Sequence, residues 1–510
     1  QQIVSLSDED INYVNKNYQR SAKLNRELII KRNLNIDEIA KFEIRQHRFP
    51  GVLIDERYTR ENLYPNLFSH SVGYVGNIDD DRLEEILFEQ ELQPKETIFK
   101  YSNGHLIGKT GLESVYDSDL RGFFGKKIYE VDASGKLLRE IEEITASDGK
   151  DIYTSLDLEA QKVAYKQLND RRGAVVAVDI SNGAIVSYLS SPSFSVNKIA
   201  NGLSNKEFQK LLNDKNKPFF DRAAQGRYSP ASTIKPAIGL YGLESKIIDW
   251  NYFMNDPGFF ILPEDERTLR GWKKGGHGNI NLNNAIIESS NTFFFSLAYK
   301  SDINELIEYL SYFGFGKNVC IDCFLPDKGL LPSPTWKMNN LNFGWVKGDT
   351  VNIGVGQGHM SATPIQLAYY AALLANKGTL NEFSFVQDGE AALKSTLITT
   401  NINDNDWDKI HRSMIGVIES PKGTAKRLRQ LGDFTIAAKS GTVELVSTET
   451  KEDYKIIREV EEKRDHAIII AFGPMPNPKY AVSVVIENGE SGGSVAGPVA
   501  IAVLNSLLAE

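Results

Sequence analysis

A serine and a lysine three residues apart stand at the start of an apolar stretch near the middle of this chain of 510 residues. They are Ser232 and Lys235, in YSPASTIKPAIGLYGL. Pro236 is tolerated only in the first turn of a helix, so a helix is predicted to begin close to Ser232. There, unpaired backbone N–H groups would stabilise negative charge on the serine oxygen. Lys235, one turn further on, could remove the serine proton. The pair is therefore a candidate for a nucleophile and its base.

A lysine acts as a base only when it is neutral, so its pKa must be lowered by burial and by a nearby positive charge. A second lysine is therefore expected close to Lys235. Two motifs follow in order, SSN at residues 289–291 and KSGT at residues 439–442. The first is predicted to lie in a helix that spans LNNAIIESSNTFFFSLAYK. The second follows the apolar run FTIAA and is predicted to lie on a strand.

The predicted strand decides which way the KSGT side chains point. Successive side chains alternate between the two faces of a strand, so Lys439 and Gly441 would share one face and Ser440 and Thr442 the other. A glycine at this position would let a substrate backbone approach closely. These four residues are therefore candidates for supplying a positive charge to the site and for binding the substrate.

Motifs this short also occur by chance. SVNK, from Ser195 to Lys198, repeats the serine-lysine spacing, and GKTG at residues 108–111 repeats a lysine motif far upstream. No set built on these decoys gives the order SxxK, SxN and KSG. The chemistry is therefore predicted for the set that begins at Ser232.

The composition is that of an ordinary globular protein, with 41% hydrophobic and 25% charged residues. A formal net charge of −9 and the lack of a basic block argue against nucleic acid as a partner. The longest apolar run near the C-terminus, AIIIAFGPM, is too short to cross a bilayer. The opening QQIVSLSDED has no features of a targeting segment.

The elements that must position these residues indicate an α+β fold in two domains. Residues 1–150 are charged and broken up, with a helix in DEDINYVNKNYQRSAKLNREL and a hairpin in GKKIYEVDASGKLLREIEE. Residues 151–510 open with a hairpin, AVVAVDISNGAIVSYLSS, turning at Asn-Gly. Three further strands, in FTIAAKSGTVELV, HAIIIAFG and YAVSVVIENG, are predicted to join it in one antiparallel sheet flanked by helices.

Cys320 and Cys323 form a CxxC in NVCIDCF, which could be a redox pair or half of a metal site. The flanking pattern is typical of a strand, on which residues three apart point to opposite faces. This favours two buried, unreactive thiols.

The chain resembles the class B penicillin-binding proteins, and in particular the penicillin-binding protein 2 group. The resemblance rests on the three motifs and on their surroundings, DRAAQGRYSPAST, GVGQGHMSATPIQL and AAKSGTVEL. In the first domain it rests on RQHRFPGV, HSVGYVG and GKTGLESVYDSDLRGFFG. It implies a penicilloyl-serine transferase domain preceded by an elongated pedestal. The upstream GKTG is then expected to be a turn of that pedestal.

By this resemblance the chain is a peptidoglycan D,D-transpeptidase of cell elongation and a target of β-lactams. Ser232 would be the nucleophile and Lys235 its base. Ser289 would relay a proton, Asn291 would hold Lys235 and the substrate amide, and Lys439 would keep Lys235 neutral. The backbone N–H groups of Ser232 and residue 442 would form the oxyanion hole.

Ser440, Gly441 and Thr442 would bind the terminal carboxylate of a stem peptide. Expected partners are stem peptides, β-lactams and, through the pedestal, a polytopic glycosyltransferase and a shape-determining scaffold protein. The resemblance also implies the inner membrane, through an N-terminal anchor that is missing here, with the catalytic domain in the periplasm. No feature requires an oligomer.

Three other functions stay open. A D,D-carboxypeptidase would differ only in using water as the acceptor. A β-lactamase needs a residue to position a hydrolytic water, and no residue can be placed in that role. A non-catalytic docking scaffold would tolerate degraded motifs, whereas all motif residues are intact here.

Some relatives carry a metal bound by two aspartates, a histidine and a cysteine. Asp256 and His277 match two of these positions, but Gly271 and Ser290 stand at the other two. Two protein ligands are too few for a structural zinc, so we predict no metal and no cofactor. His277, like His359, is expected to shape a glycine-rich loop.

The residue before the nucleophile also departs from the family pattern. The family has PGST where this chain has PAST, with Ala231 in place of glycine. Alanine rarely adopts a positive φ, so Ala231 is expected to keep a negative φ.

Overall fold

The structure is a computed structural model that describes residues 3–23, 28–54, 59–78, 106–122, 125–131, 137–264, 266–386, 395–397, 402–446 and 456–509. In its N-terminal part the helices are α1 (Asp8–Lys23), α2 (Ile36–Glu43), α3 (Gly111–Val115) and α4 (Asp117–Arg121). The strands of this part are β1 (Val75–Asn77), β2 (Leu106–Gly108), β3 (Lys126–Val131) and β4 (Leu137–Ile144).

Two small antiparallel sheets form this N-terminal part, β1 with β2 and β3 with β4. The predicted pairing around the Ser-Gly turn is confirmed, although residues 132–136 of the turn lie outside the described residues. The predicted first helix is present as α1, and residues 24–27 of its predicted range also lie outside them. The upstream GKTG joins the end of β2 to the start of α3, in the turn that we expected.

The rest of the chain carries thirteen helices and eleven strands among the described residues. The helices are α5 (Leu158–Leu168), α6 (Val196–Ala200), α7 (Asn205–Leu212), α8 (Arg222–Gln225), α9 (Lys235–Glu244), α10 (Leu282–Ile287), α11 (Asn291–Lys300), α12 (Ile303–Tyr312), α13 (Pro334–Leu341), α14 (Lys347–Ile353), α15 (Pro364–Ala375), α16 (Asp404–Glu419) and α17 (Gly497–Leu508). The strands are β5 (Gly173–Asp179), β6 (Ile185–Ser191), β7 (Met254–Asp256), β8 (Phe259–Ile261), β9 (Thr268–Arg270), β10 (Gly278–Ile280), β11 (Thr379–Asn381), β12 (Ser395–Leu397), β13 (Ala437–Val443), β14 (His466–Gly473) and β15 (Tyr480–Ile486).

One five-stranded antiparallel sheet organises this second part, in the order β13-β14-β15-β5-β6. The early hairpin β5–β6 turns at Gly183, whose φ of 79° suits glycine. β15 pairs with β5, Val484 lying opposite Val175, so the two ends of the domain meet in one sheet. The predicted α+β class and the predicted sheet are confirmed.

Helices cover this sheet. The residues of β6 are all buried and those of β14 nearly all, so both faces of these strands are covered. Helices α5 and α17 pack on each other and on the sheet, and α15, buried along its whole length, packs on β5, β14 and β15. The covered sheet therefore supports the elements that carry the motifs, including β13 itself.

Hydrogen bonds are among the contacts between the two parts of the chain. The amide of Gln161 on α5 donates to the carbonyl oxygen of Leu67 over 2.7 Å. The hydroxyl of Tyr116 donates to a carboxylate oxygen of Asp322 over 3.1 Å. The predicted boundary near residue 150 falls between β4 and α5 and stays a prediction.

The two cysteines depart from the prediction. Cys320 and Cys323 are buried, as predicted, but they form a disulfide, with Cα atoms 5.6 Å apart. The segment is a turn rather than a strand, and the Asn318 side chain accepts the N–H of Cys320. Between the cysteines, Asp322 accepts hydrogen bonds from Ser384 and from the N–H of Phe385. A turn brings residues three apart to the same side, which an extended strand cannot do.

Within the part of the chain that the structure describes, no helix combines the length and the apolar character needed to cross a membrane.

Candidate active site

The predicted nucleophile lies in a tight turn that leads into a buried helix. Ser232 belongs to a 3₁₀ turn, Ala231–Ile234, that runs directly into α9, and Pro236 lies in the first turn of α9. Ser232 is half-buried, whereas nearly the whole of α9 is buried. The predicted helix start close to Ser232 is thus present, with one turn of 3₁₀ geometry at its beginning.

Ala231 does not keep the negative φ that we expected. Its φ is +49°, the left-handed region that costs an alanine about 1–2 kcal/mol. The conformation is imposed from outside, because the N–H of Ala231 donates to the carbonyl oxygen of Gly356 over 2.9 Å. The backbones are so close that a Cβ on Gly356 would lie 2.3 Å from the carbonyl oxygen of Ala231. Contact with this second loop therefore holds the residue before the nucleophile in a strained conformation.

This strain predicts that Ala231→Gly stabilises the fold. Glycine adopts a positive φ without steric cost, and part of that gain is offset by its more flexible unfolded chain. We expect the free energy of unfolding to rise by about 0.5–1 kcal/mol, measured by urea denaturation. Ala237→Gly, at a regular position in α9, is the matched control and should lower it. Equal losses in the two variants would contradict the account of Ala231.

Lys235 is buried and all three of its hydrogen bonds go to the SSN motif. Its Nζ atom donates to the carbonyl oxygen of Ser289 over 2.9 Å, to the hydroxyl of Ser289 over 3.2 Å and to the side-chain oxygen of Asn291 over 2.8 Å. The side chain of Lys235 has no exposed surface. The lysine of SxxK is therefore fixed by the second motif, as its proposed role requires.

The SSN motif is a turn between two helices, not part of one helix as predicted. Helix α10 ends before Ser289, which has a φ of 55°, and α11 begins at Asn291. Ser290 is the N-cap of α11, its hydroxyl accepting the N–H of Phe293. Serine favours such caps because its side chain satisfies a backbone N–H that has no partner within the helix. The break turns Ser289 towards Lys235.

Lys439 reaches the same hydroxyl from the other side. It lies on β13, and its Nζ atom donates to the hydroxyl of Ser289 over 3.0 Å and to the carbonyl oxygen of Ser440 over 2.9 Å. The Ser289 hydroxyl is thus between the amino groups of Lys235 and Lys439, at 3.2 and 3.0 Å. Both lysines are completely buried. The three motifs meet at one oxygen atom.

Burial and proximity together change the ionisation of the two lysines. Burial lowers the pKa of Lys235 well below its usual value, the positive charge of Lys439 lowers it further, and Asp256 acts in the opposite direction. Burial lowers the pKa of Lys439 to about 7. Two amino groups around one buried hydroxyl cannot both carry a charge cheaply, so the pair titrates as a unit. Such a pair can supply a neutral base beside a positive charge near neutral pH.

The KSGT strand borders the nucleophile directly. β13 is an edge strand of the sheet, and a Cβ on Gly441 would lie 3.1–3.3 Å from atoms of Thr233, Pro230 and Ala231. The glycine therefore lets the nucleophile's own turn approach the strand closely, which the sequence did not indicate. Thr442 is exposed, in keeping with a role in substrate binding.

The residues that match the metal ligands of some relatives lie behind the SSN turn. Nδ1 of His277 and the hydroxyl of Ser290 both lie 2.6 Å from the same carboxylate oxygen of Asp256. These hydrogen bonds hold the pKa of the Asp256 carboxyl well below its usual value, although burial alone would raise it. Gly271 offers no ligand atom and the Ser290 hydroxyl already serves as a cap, so these residues do not fit a four-coordinate zinc.

Elsewhere among the described residues, the one group of three potential ligands within reach of a common ion is Cys320, Asp322 and Cys323, whose two sulfurs are joined in the disulfide. His359 packs against Trp336 with the two rings tilted and their centroids 5.5 Å apart, in keeping with the expected loop-shaping role.

Three contacts of the site were not predicted from the sequence. Thr424 lies 2.9 Å from the hydroxyl of Ser440, oxygen to oxygen. The hydroxyl of Tyr370, on α15, donates to the carbonyl oxygen of Thr233 over 3.1 Å and so supports the nucleophile turn. Trp272 donates to the SSN turn. Only Trp272 had a visible signal, because it stands in the glycine-rich stretch GWKKGGHG that already carried His277.

The decoy motifs lie apart from this cluster. Ser195 precedes the short helix α6, and Lys198 is exposed on it. The upstream lysine, Lys109, lies between β2 and α3 in the N-terminal part. Among the described contacts, the hydrogen bonds of Lys235 and Lys439 remain within the three motifs chosen from their order.

Comparisons with known proteins find relatives along nearly the whole chain. The family model described as "Penicillin binding protein transpeptidase domain" matches residues 173–505, and that described as "Penicillin-binding Protein dimerisation domain" matches residues 1–154. The peptidoglycan D,D-transpeptidase MrdA of Acinetobacter baumannii is 37% identical over 503 residues, which cover 97% of this chain and 73% of that protein.

Two solved structures are also similar to this chain. PBP2 of Pseudomonas aeruginosa in complex with WCK 5153 is 34% identical, with a TM-score of 0.75, over 89% of this chain and 93% of that one. PBP2 of Helicobacter pylori, in its complex with MreC, is 28% identical, with a TM-score of 0.79, over 99% of this chain and 92% of that one.

Proposed function

Since this chain belongs to the class B penicillin-binding proteins, in the penicillin-binding protein 2 group, we propose that it is the peptidoglycan D,D-transpeptidase of cell elongation. One observation carries the proposal: the Ser289 hydroxyl lies between two buried lysines that come from the other two motifs. A relay hydroxyl between a neutral base and a positive charge is what acyl transfer by a serine needs.

The first step forms an acyl-enzyme on Ser232. Lys235 takes the hydroxyl proton of Ser232, and the oxygen attacks the carbonyl carbon between the two terminal D-alanines of a stem peptide. The backbone N–H groups of Ser232 and Thr442 stabilise the oxyanion. The C–N bond then breaks, and the departing amine takes a proton from Lys235 through the hydroxyl of Ser289.

The second step transfers the acyl group to an amine of a neighbouring stem peptide. That nitrogen attacks the ester carbon, a new amide forms, and the C–O bond to Ser232 breaks. The proton lost by the amine returns through Ser289 and Lys235 to the oxygen of Ser232. Asn291 holds Lys235 and the substrate amide during both steps.

The strand β13 supplies the recognition of the donor terminus. Ser440 and Thr442 bind its terminal carboxylate, with the positive field of Lys439 behind them. Gly441 keeps this strand against the nucleophile turn, so that the carboxylate and the scissile carbonyl are bound together. β-Lactams share the carboxylate and the reactive carbonyl, and we expect them to acylate Ser232.

The charge sharing of the two lysines predicts a bell-shaped pH profile for acylation by penicillin. As the pH increases, the rate of acylation first rises because Lys235 loses its proton. At higher pH the rate falls again because the lysine pair loses its remaining positive charge. In Lys439→Met the charge that depresses the pKa of Lys235 is gone, so the rising limb should move to higher pH and the falling limb should disappear. At pH 7 we expect acylation about a hundredfold slower. Lys426→Met, an exposed lysine, is the control. An unshifted profile in Lys439→Met would contradict this electrostatic role.

Partners and location form a second part of the proposal. The solved complex of a related PBP2 with MreC supports docking of a shape-determining scaffold protein on the pedestal, residues 1–150. By family resemblance, a polytopic glycosyltransferase docks there too. The proposed location is outside the cytoplasm, in the periplasm, with anchoring to the inner membrane.

The deciding experiment supplies the purified chain with a pentapeptide ending in D-Ala-D-Ala and an amine acceptor, and follows the products by mass spectrometry. A product that joins donor and acceptor with release of D-alanine supports the transpeptidase. Release of D-alanine with hydrolysis alone would indicate a D,D-carboxypeptidase. Rapid turnover of penicillin would indicate a β-lactamase, and no acylation by any donor would leave the docking scaffold.

A further inference from the structure

Three consecutive residues, Glu288 to Ser290, are held by one small unit of structure behind the site. The unit is the pair β7–β10, in which Asp256 lies opposite Gly278, together with the loop Gly271–Gly276. It binds Ser290 through Asp256 and binds the two residues before it through Trp272 and Lys273. All three residues are buried, and each of them is bound by at least one side chain of this unit.

The indole of Trp272 makes the central contact. Its Nε1 atom donates to the carbonyl oxygen of Glu288 over 3.1 Å and to that of Ser289 over 3.2 Å. Its ring packs edge-on against His277, with centroids 5.7 Å apart, and His277 is itself fixed by Asp256. The indole is therefore held on one side by the hydrogen-bonded pair of His277 and Asp256 and on the other by the SSN turn.

The carbonyl oxygen of Ser289 is shared between Trp272 and Lys235. Lys235 donates to it over 2.9 Å and Trp272 over 3.2 Å, so both of its lone pairs are occupied. Ser289 also has a φ of 55°, and such a strained residue persists only where its surroundings fix it. The indole N–H supplies one of those restraints.

We propose that Trp272 is a positioning residue of this site, whose indole N–H fixes the Glu288–Ser289 turn so that Ser289 presents its carbonyl and hydroxyl oxygens correctly to Lys235. This role rests on the proposed function, since it matters only if Lys235 is the base. Trp272 does not reach the reacting atoms itself. It acts through Ser289.

The direction of the pH shift expected on loss of the Trp272 indole follows from the carbonyl oxygen of Ser289, which Trp272 and Lys235 share. Without the indole N–H, the carbonyl oxygen of Ser289 becomes a stronger acceptor for a charged Lys235, so the protonated form of the base is favoured. The charged groups around this part of the site stay in place in such a variant. They are Lys439 on β13, Asp256 on β7, and Glu288 with Lys273 and Lys422, each 3.5 Å from its carboxylate.

The test is acylation by penicillin across a range of pH in Trp272→Phe, which keeps an aromatic ring and loses the indole N–H donor. We expect acylation about tenfold slower at pH 7, as for loss of one hydrogen bond near a charge, with the rising limb moved to higher pH. The matched control is Trp345→Phe, which loses an indole hydrogen bond of 2.9 Å to Thr350. Its rate and its profile should be unchanged.

Two results would overturn the role of Trp272. One is an unchanged rate with an unmoved limb, and the other is a rate lowered equally at every pH, which would indicate a packing role alone. If Trp272→Phe does not fold, 3-benzothienylalanine at position 272 keeps the ring shape with sulfur in place of N–H and gives the same readout. If the unchanged chain is not acylated at all, the proposed function fails and the role of Trp272 fails with it.

Discussion

Fluorescent penicillin is expected to label the unchanged chain on Ser232 and to leave Ser232→Ala completely unlabelled. Ser232 lies in the turn that enters α9, where the KSGT strand packs against this turn and where Lys235 is the proposed base. Alanine keeps the turn but has no oxygen to acylate, so the loss should be complete rather than partial. Intact mass and peptide mapping of the adduct would locate it.

The chain offers its own control for this experiment. Ser195 stands three residues before Lys198 and so repeats the SxxK spacing, but it lies outside the cluster and Lys198 is exposed. Ser195→Ala should label like the unchanged chain. A label that survives in Ser232→Ala, or that is lost in Ser195→Ala, would show that the nucleophile has been assigned wrongly.

The second large effect is expected for Lys235→Met. Methionine has nearly the length and the apolar character of the lysine stem, so the buried site should remain filled while the base is lost. We expect acylation to slow by about a thousandfold, within the range that a general base contributes. The rate would be measured by stopped-flow or quenched labelling with penicillin, beside a thermal melt.

The melting temperature of Lys235→Met distinguishes loss of the base from loss of the folded structure. Lys235→Met loses hydrogen bonds to Ser289 and Asn291 but also removes a buried amine that is costly to charge, so the melting temperature should change little. Lys198→Met, which removes an exposed lysine from the decoy motif, should acylate normally. A variant Lys235→Met that is stable and still acylates at the original rate would exclude Lys235 as the base.

The fold class and the choice of motifs could be predicted from the sequence alone. Apolar runs of strand length mark β5, β6, β14 and β15, and the Asn-Gly turn between the first two defines their hairpin, because these signals are local. The order of SxxK, SSN and KSGT selected Ser232 over its decoy, since order along the chain is a property of the sequence alone. The burial of Lys235 and its need for a second lysine followed from the chemistry of an amine base.

The conformations that were predicted wrongly are those imposed by contacts between residues far apart in the sequence. Ala231 has a positive φ because Gly356 binds its N–H, and SSN is a turn because Ser289 and Ser290 are held by residues 235, 256 and 272. Cys320 and Cys323 pair because a turn bends the segment. Local propensity favours a helix through SSN, a negative φ for alanine and a strand around CxxC, and none of these preferences exceeds about 1–2 kcal/mol. A few long-range hydrogen bonds outweigh them, and no window of sequence contains both partners of such a bond.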